Sequence, residues 1–177
     1  METTLAKLTV AEMEADPIKW ERFELYKGEP VEMTYTKPNH ARILMKLGAK
    51  IQNWIDSSSG KGSVYGGEGG IKFADDIRYC YDLAWSDTRL PEEEIPTRSL
   101  PLMVEIVSEG NDINKLLAKV EDYLAFGARE VWLVYPARKS IQAYYPDNTA
   151  RTFHIEDTII PGDWMKGFSL VLKEVFS

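Results

Sequence analysis

The stretch 102–107, LMVEIV, limits what this chain can become more than any other. It is the most apolar strand signal in the sequence, and a strand without polar alternation belongs in a sheet centre covered on both faces. The chain must therefore bring layers to both sides of that strand. Glu105 interrupts the run. An ionised acid in a central strand costs several kcal/mol of desolvation unless a partner or a metal ion compensates it, so Glu105 marks a place where charge is needed.

The flanking sequence supplies the layers. Asp112 is placed to cap a helix whose Leu116, Val120, Tyr123 and Leu124 form a buried stripe, with Gly127 as a left-handed stop. EVWLVYP, from Glu130, reads as a second interior strand, and the strand, helix, strand order over 102–134 fits a right-handed crossover. Upstream, Thr9 is a cap for a short helix ending near Ala15, and 23–33 alternates about Lys27-Gly28 as a hairpin whose exposed face includes Glu24. Pro38 and Asn39 open a helix with Ile43, Leu47, Ile51, Trp54 and Ile55 at helical spacing.

Strands are expected near Val64, over 71–73 and over 79–85; in the last, period two puts Cys80, Asp82 and Ala84 on one face and Tyr81, Leu83 and Trp85 on the other. The glycine-rich stretch 60–70 has neither GxGxxG nor GxxxxGK[ST] spacing and precedes no helix, so it reads as a turn or bulge between strands rather than a phosphate loop. Residues 91–101, with three consecutive glutamates, form an exposed loop; SIQAYYP and RTFHI make a hairpin about Asp147-Asn148, and FSLVLKEVF is a last strand running into a helical turn. Trp85, Tyr123, Trp132 and Tyr135 read as core aromatics. The expected fold is α/β (α+β), a mixed central sheet flanked by helices, over a single domain of residues 1–177.

Composition narrows the function classes. At 177 residues the chain is long enough to close a core without staples, and its one cysteine, Cys80, can form neither an internal disulfide nor a cysteine metal cluster. No run approaches the roughly 18 apolar residues of a membrane helix, and METTLAKLTVAEMEADP has no signal-peptide pattern, so a cytoplasmic protein with no membrane partner is expected. The formal charge of −7 argues against a broad basic surface, although a metal-binding site concentrates carboxylates and the metal reverses the local field.

Asp82 presents the same puzzle as Glu105 in a second strand, among the small neighbours Cys80 and Ala84. Two carboxylates about 4 Å apart at an effective dielectric near 20 would repel by about 4 kcal/mol, a cost that a shared proton or cation removes. Lys115 and Lys119 lie one turn apart beside the apolar stripe of the helix after the Glu105 strand, so one of them, Lys119 by preference, reaches back toward the acids. A cation there could hold an attacking water or neutralise a pentacovalent phosphate.

At these residues the sequence resembles the Uma-two family of restriction endonuclease-like proteins, in the PD-(D/E)XK nuclease superfamily. The likeness is carried, in order, by RFELYKGEPVEM, KPNHARI, YDLAWSD, LMVEIVS, KVEDYLAFGAREVWLVYP and IIPGDWMKGF, spanning nearly the whole chain. The resemblance implies a restriction-endonuclease-like fold and magnesium- or manganese-dependent hydrolysis of DNA. It aligns Asp82 with the aspartate of the PD pair, Glu105 with the acid of (D/E)XK, Glu24 with the early acid and a metal ligand, His40 with the histidine opening the first long helix, and Lys119 with the basic residue of the later helix. Tyr81 stands in place of the family's proline and Val107 in place of the motif lysine, so the site depends on Lys119 as a migrated substitute. A homodimer would let two such sites address two strands. The competing expectations are a catalytically inactive nuclease-fold module that binds nucleic acid or protein and, ranked last, a glycosidase using the same two acids.

Overall fold

The computed structural model describes residues 7–57 and 60–177. Helix α1 (Val10–Ala15) opens on a capping box, in which Thr9 accepts from the Glu12 N–H and Glu12 reaches back to the Thr9 N–H at 2.8 Å. Thr9→Ala should lower the stability of the protein by about 1 kcal/mol, read from urea denaturation. A short helix α2 (Pro17–Trp20), absent from the sequence expectation, follows on the Asp16 cap with Pro17 at its first position. Strands β1 (Phe23–Tyr26) and β2 (Glu29–Glu32) pair antiparallel through Lys27 and Gly28, whose φ values of 50° and 84° are those of a two-residue hairpin turn.

Helix α3 (Pro38–Asp56) buries Ile43, Leu47, Ile51 and Trp54. Strands β3 (Ser63–Ala74), β4 (Ile77–Ser86) and β5 (Leu102–Ile106) come next, then helix α4 (Ile113–Ala125) on the Asp112 cap. Strand β6 (Glu130–Tyr135) lies parallel to β5 from Leu102↔Glu130 to Ile106↔Val134, as a strand, helix, strand crossover requires. The hairpin of β7 (Ser140–Tyr144) and β8 (Ala150–His154) completes an eight-stranded mixed sheet of order β2-β1-β4-β5-β6-β7-β8, with β3 on β4. Strands β9 (Thr158–Ile159) and β10 (Leu170–Val171) form a separate ribbon, and β10 runs directly into α5 (Leu172–Phe176). Among the described residues no helix is long and apolar enough to cross a membrane.

Each sheet face has its own core. Against one, α3 and the C-terminal segment pack on Leu83, Trp85, Leu102, Val104, Ile106 and Trp132; against the other, Val120 and Tyr123 of α4 pack on Tyr79, Tyr81, Ala84, Met103, Val131 and Leu133. All five β5 residues are therefore buried, Glu105 at 5 % exposure among them.

Two expectations need correcting. Val64 and residues 71–73 belong to one long strand, and the glycine-rich stretch is a bulge inside it: the register jumps from Gly66↔Leu83 to Gly69↔Tyr81, so Gly67 and Glu68 face the single residue Asp82. Gly67 (φ 81°) and Glu68 (φ 64°) both adopt the left-handed backbone that such an insertion needs. The faces of β4 also do not alternate as simple period two requires. Tyr79 and Tyr81 pack with Ala84 on the α4 side, whereas Leu83 and Trp85 pack on the α3 side, so the strand rolls over at Asp82, opposite the bulge. Asp82 is thereby freed from either packed face.

Candidate active site

A strand has two edges. β3 occupies one edge of β4 along its length, so β5 and β1 share the other, β5 at Leu83–Trp85 and β1 only at Arg78. Between them the sheet forks, and on that edge the β4 backbone around Cys80 has no neighbouring strand to bond. Charged side chains take the strand's place. The Glu24 carboxylate accepts from the Cys80 N–H at 2.8 Å, the Lys119 ammonium donates to the Cys80 carbonyl at 2.7 Å, and Asp82 Oδ2 accepts from the Ile106 N–H at 2.6 Å.

The fork opens into a cavity of about 240 Å³ that Glu24, His40, Asp82, Glu105, Lys115 and Lys119 all line. Glu105 projects to the α4 side, where its Oε1 accepts from the Tyr123 hydroxyl at 2.7 Å and lies 3.0 Å from Lys119 Nζ. Its Oε2 takes no hydrogen bond from a described residue. Lys119 stands 2.7 Å from Glu24 Oε1 and is 3 % exposed. Two of its ammonium protons go to Glu24 and the Cys80 carbonyl, and Glu105 lies beside it as an ion-pair partner.

Glu24 is not on an exposed hairpin face. It is 8 % exposed, and its second oxygen accepts from the Tyr26 hydroxyl at 2.8 Å. The alternation that assigned it outward fails because β1 borders the fork, where both sides are covered. Asp82 Oδ1 is 3.1 Å from His40 Nε2, and the other ring nitrogen of His40 is 3.0 Å from Ser108 Oγ. Lys115 lies at the rim, paired with Glu29 at 2.8 Å.

Two acids, Glu24 and Glu105, thus meet one buried ammonium, with Asp82 close enough to repel Glu105. Burial, chiefly, and repulsion from Asp82 and Glu24 push the Glu105 carboxyl up to about 8, against the pull of Lys119 and Tyr123. Burial alone would lower the Lys119 ammonium, but Glu105 and Glu24 more than reverse this and hold it well above the usual lysine range. Lys119 therefore stays charged, and the uncompensated acid is Glu105. Burial raises the Cys80 thiol to about 11, which leaves it a poor nucleophile and a poor metal ligand at neutral pH.

Among the described residues no three His, Cys, Asp or Glu side chains converge into a ready-made metal cage. The donor set suits a different kind of ion. Magnesium keeps several of its waters and takes only one or two protein carboxylates, and here Asp82 and Glu105 border one cavity with oxygen capacity to spare. Glu24, whose two oxygens already accept three hydrogen bonds, has the least left to give.

Sequence reasoning missed three participants. Tyr123 read as a core aromatic and Tyr26 was not singled out, yet their hydroxyls bond Glu105 and Glu24. The Tyr123 signal was present in its spacing, one turn beyond Lys119 on the face that looks at Glu105. Ser108, three residues after Glu105, carried no signal of its own.

This fork is set in a fold that known proteins share. The chain belongs to the Uma2 family, described as "Putative restriction endonuclease", whose sequence model matches residues 11–173. Its structure is similar to a crystal structure from Anabaena variabilis ATCC 29413, described as "a putative nuclease belonging to DUF820", with a TM-score of 0.77 and 18% identity over 87% of this chain and 89% of that one. At that identity the likeness carries the fold. No curated protein matches the sequence.

Proposed function

We propose that this chain is a divalent-cation-dependent endonuclease that hydrolyses phosphodiester bonds in DNA. The observation that carries the reading is the surplus of acid at the fork: Asp82 and Glu105 line one cavity, and Lys119 offsets only part of their charge together with that of Glu24. Membership of the Uma2 family supports the same chemistry.

In this reading Asp82 and Glu105 hold magnesium or manganese, which supplies Lewis-acid polarisation of the phosphodiester and an activated water. Asp82 is oriented for the task by the Ile106 N–H and His40. Glu105 meets the cavity through its unbonded Oε2 while Tyr123 fixes Oε1. Lys119 contributes charge: fixed beside both glutamates, it lowers the cost of gathering them and stabilises negative charge that develops on a phosphate above it. Glu24 holds Lys119 and the β4 backbone in place rather than binding the ion. Burial strengthens the interactions among Glu24, Glu105 and Lys119, which are all under a tenth exposed.

The test is cleavage of supercoiled plasmid in magnesium or manganese, with and without chelator. The wild type should nick it only with metal, and Asp82→Ala and Glu105→Ala should match the chelated control. Equal cleavage by the variants would place the activity elsewhere.

One observation favours the second reading, a binding module that keeps the fold without catalysis. Lys119 is buried and held by Glu24, the Cys80 carbonyl and Glu105, and Val107 offers no replacement at the motif position. Titration with magnesium by calorimetry separates the two, because only the catalytic reading requires a heat that Asp82→Asn removes.

A further inference from the structure

We propose that Asp82, His40 and Ser108 form a positioning relay that presents the Ser108 hydroxyl oxygen to the cavity as the acceptor for the attacking water. The inference rests on the hydrolytic reading above and fills the vacancy that reading leaves. Lys119, expected to hold the water, is 3 % exposed and already bound to Glu24 and the Cys80 carbonyl with Glu105 beside it, and Val107 has no polar side-chain atom.

His40 stands in the first turn of α3, and its ring joins three elements. Nε2 lies 3.1 Å from Asp82 Oδ1 on β4, and Nδ1 lies 3.0 Å from Ser108 Oγ in the loop after β5. The proton positions follow from chemistry. An ionised carboxylate only accepts, so Nε2 carries the hydrogen that reaches Asp82. A neutral imidazole has one N–H, so Nδ1 presents a lone pair, and the single Ser108 proton turns to it. What Ser108 Oγ has left is lone pairs.

Ser108 borders the same cavity as Asp82 and Glu105, and its backbone N–H is anchored on Asn111 Oδ1 at 2.6 Å. An oxygen with lone pairs alone cannot bond a phosphate oxygen, which has no proton to give. It can bond water. Ser108 thus selects a water over a phosphate oxygen at its position and points that water's hydrogen away from phosphorus. In the hydrolysis it serves, the water oxygen bonds to phosphorus as the bond to the leaving nucleotide oxygen breaks; the water's proton passes to solvent, and the leaving oxygen takes one from solvent. The relay transfers no proton itself. His40 is a positioning residue and acts at both ends, keeping the Asp82 carboxylate turned and the serine proton occupied.

Two measurements test this. The protein has only two histidines, so nitrogen-15 spectra of the imidazoles are readily assigned with His154→Gln, which alters the exposed ring on β8. In metal-free protein His40 should show the Nε2–H tautomer, and Ser108→Ala should move its Nδ1 signal while leaving Nε2–H in place. An Nδ1–H tautomer in the wild type would overturn the relay, whether or not the protein cleaves DNA.

The second measurement pairs manganese affinity, from calorimetry with manganese chloride, with cleavage kinetics. Ser108→Ala should lower kcat by about tenfold at unchanged KM and manganese affinity, and Ser108→Thr, which keeps the hydroxyl, should restore it. His40→Gln can still donate to Asp82 but offers no ring nitrogen to Ser108, so it should retain metal affinity and share the kcat of Ser108→Ala. His40→Asn, too short to reach Asp82, should lose metal affinity by roughly 10- to 100-fold. Circular dichroism and thermal midpoints confirm that each variant is folded. Wild-type kcat in Ser108→Ala, or equal loss of manganese affinity in the two His40 variants, would overturn the proposal. A wild type that neither binds manganese nor cleaves overturns the nuclease reading and the water's role with it, while the tautomer still decides the relay.

Discussion

Glu105→Gln will stop cleavage and, in the same protein, raise the stability of the metal-free fold at pH 8. Burial first, then Asp82 and Glu24, hold the Glu105 carboxyl near 8, against an ordinary glutamate value of 4.5. The folded chain therefore keeps a proton over a range in which the unfolded chain has already lost it. Stability falls as pH rises from about 4.5 to about 8 and levels off above, a total on the order of 5 kcal/mol at 1.36 kcal/mol per pH unit. Glutamine has nearly the same shape, still accepts from the Tyr123 hydroxyl, and carries no charge to desolvate. Urea midpoints from pH 4.5 to 9 should slope downward for the wild type and stay flatter in the variant, which should be at least about 2 kcal/mol the more stable at pH 8. Cleavage should fall by about 10³-fold or more, about 4 kcal/mol of transition-state stabilisation. Parallel stability curves would mean that Glu105 carries no surplus charge.

Lys119→Met should have the opposite sign and comparable size. Methionine fills much of the same volume among Tyr79, Tyr123 and Val120, so the loss is electrostatic rather than one of packing. Removing the ammonium leaves Glu24 and Glu105 buried without their shared cation and the Cys80 carbonyl without its donor, at a cost of about 3–5 kcal/mol. The deficit should shrink toward pH 4, where protonated glutamates no longer need a cation. Adding Glu24→Gln and Glu105→Gln to the same chain should recover most of the loss at pH 8. Full wild-type stability in Lys119→Met would show the buried pairs to be energetically idle.

Much of this site could be read from sequence because its central feature is an anomaly in a strong pattern. LMVEIV names a central strand and, in the same six residues, the acid that does not belong there. The α4 stripe was legible too, and Leu116, Lys119, Val120 and Tyr123 follow the helical repeat closely enough that Lys119 lies within the stripe rather than beside it. What stayed hidden depends on non-local register. The fork exists because β1 and β5 share one edge of β4, and nothing in either strand's own sequence announces that. Glu24 consequently read as outward, and Asp82 as sharing a face with Ala84. The GGEGG stretch was visible as an irregularity, but only the β3–β4 pairing places Gly67 and Glu68, one residue more than regular pairing allows, opposite Asp82 at the fork. Ser108 was invisible because a serine after a strand is ordinary until a histidine from another helix is seen against it.

The central claim is that the paired acids of the fork share a divalent cation. Crystals soaked in manganese chloride, with data collected for anomalous scattering, test it most directly. The account predicts one anomalous peak within ligand distance of both Asp82 and Glu105, about 2.1–2.2 Å from an oxygen of each, absent from Glu105→Gln crystals treated alike. Glu105 still held only by Lys119 and Tyr123, with no peak in the cavity or with manganese bound only elsewhere, would contradict it.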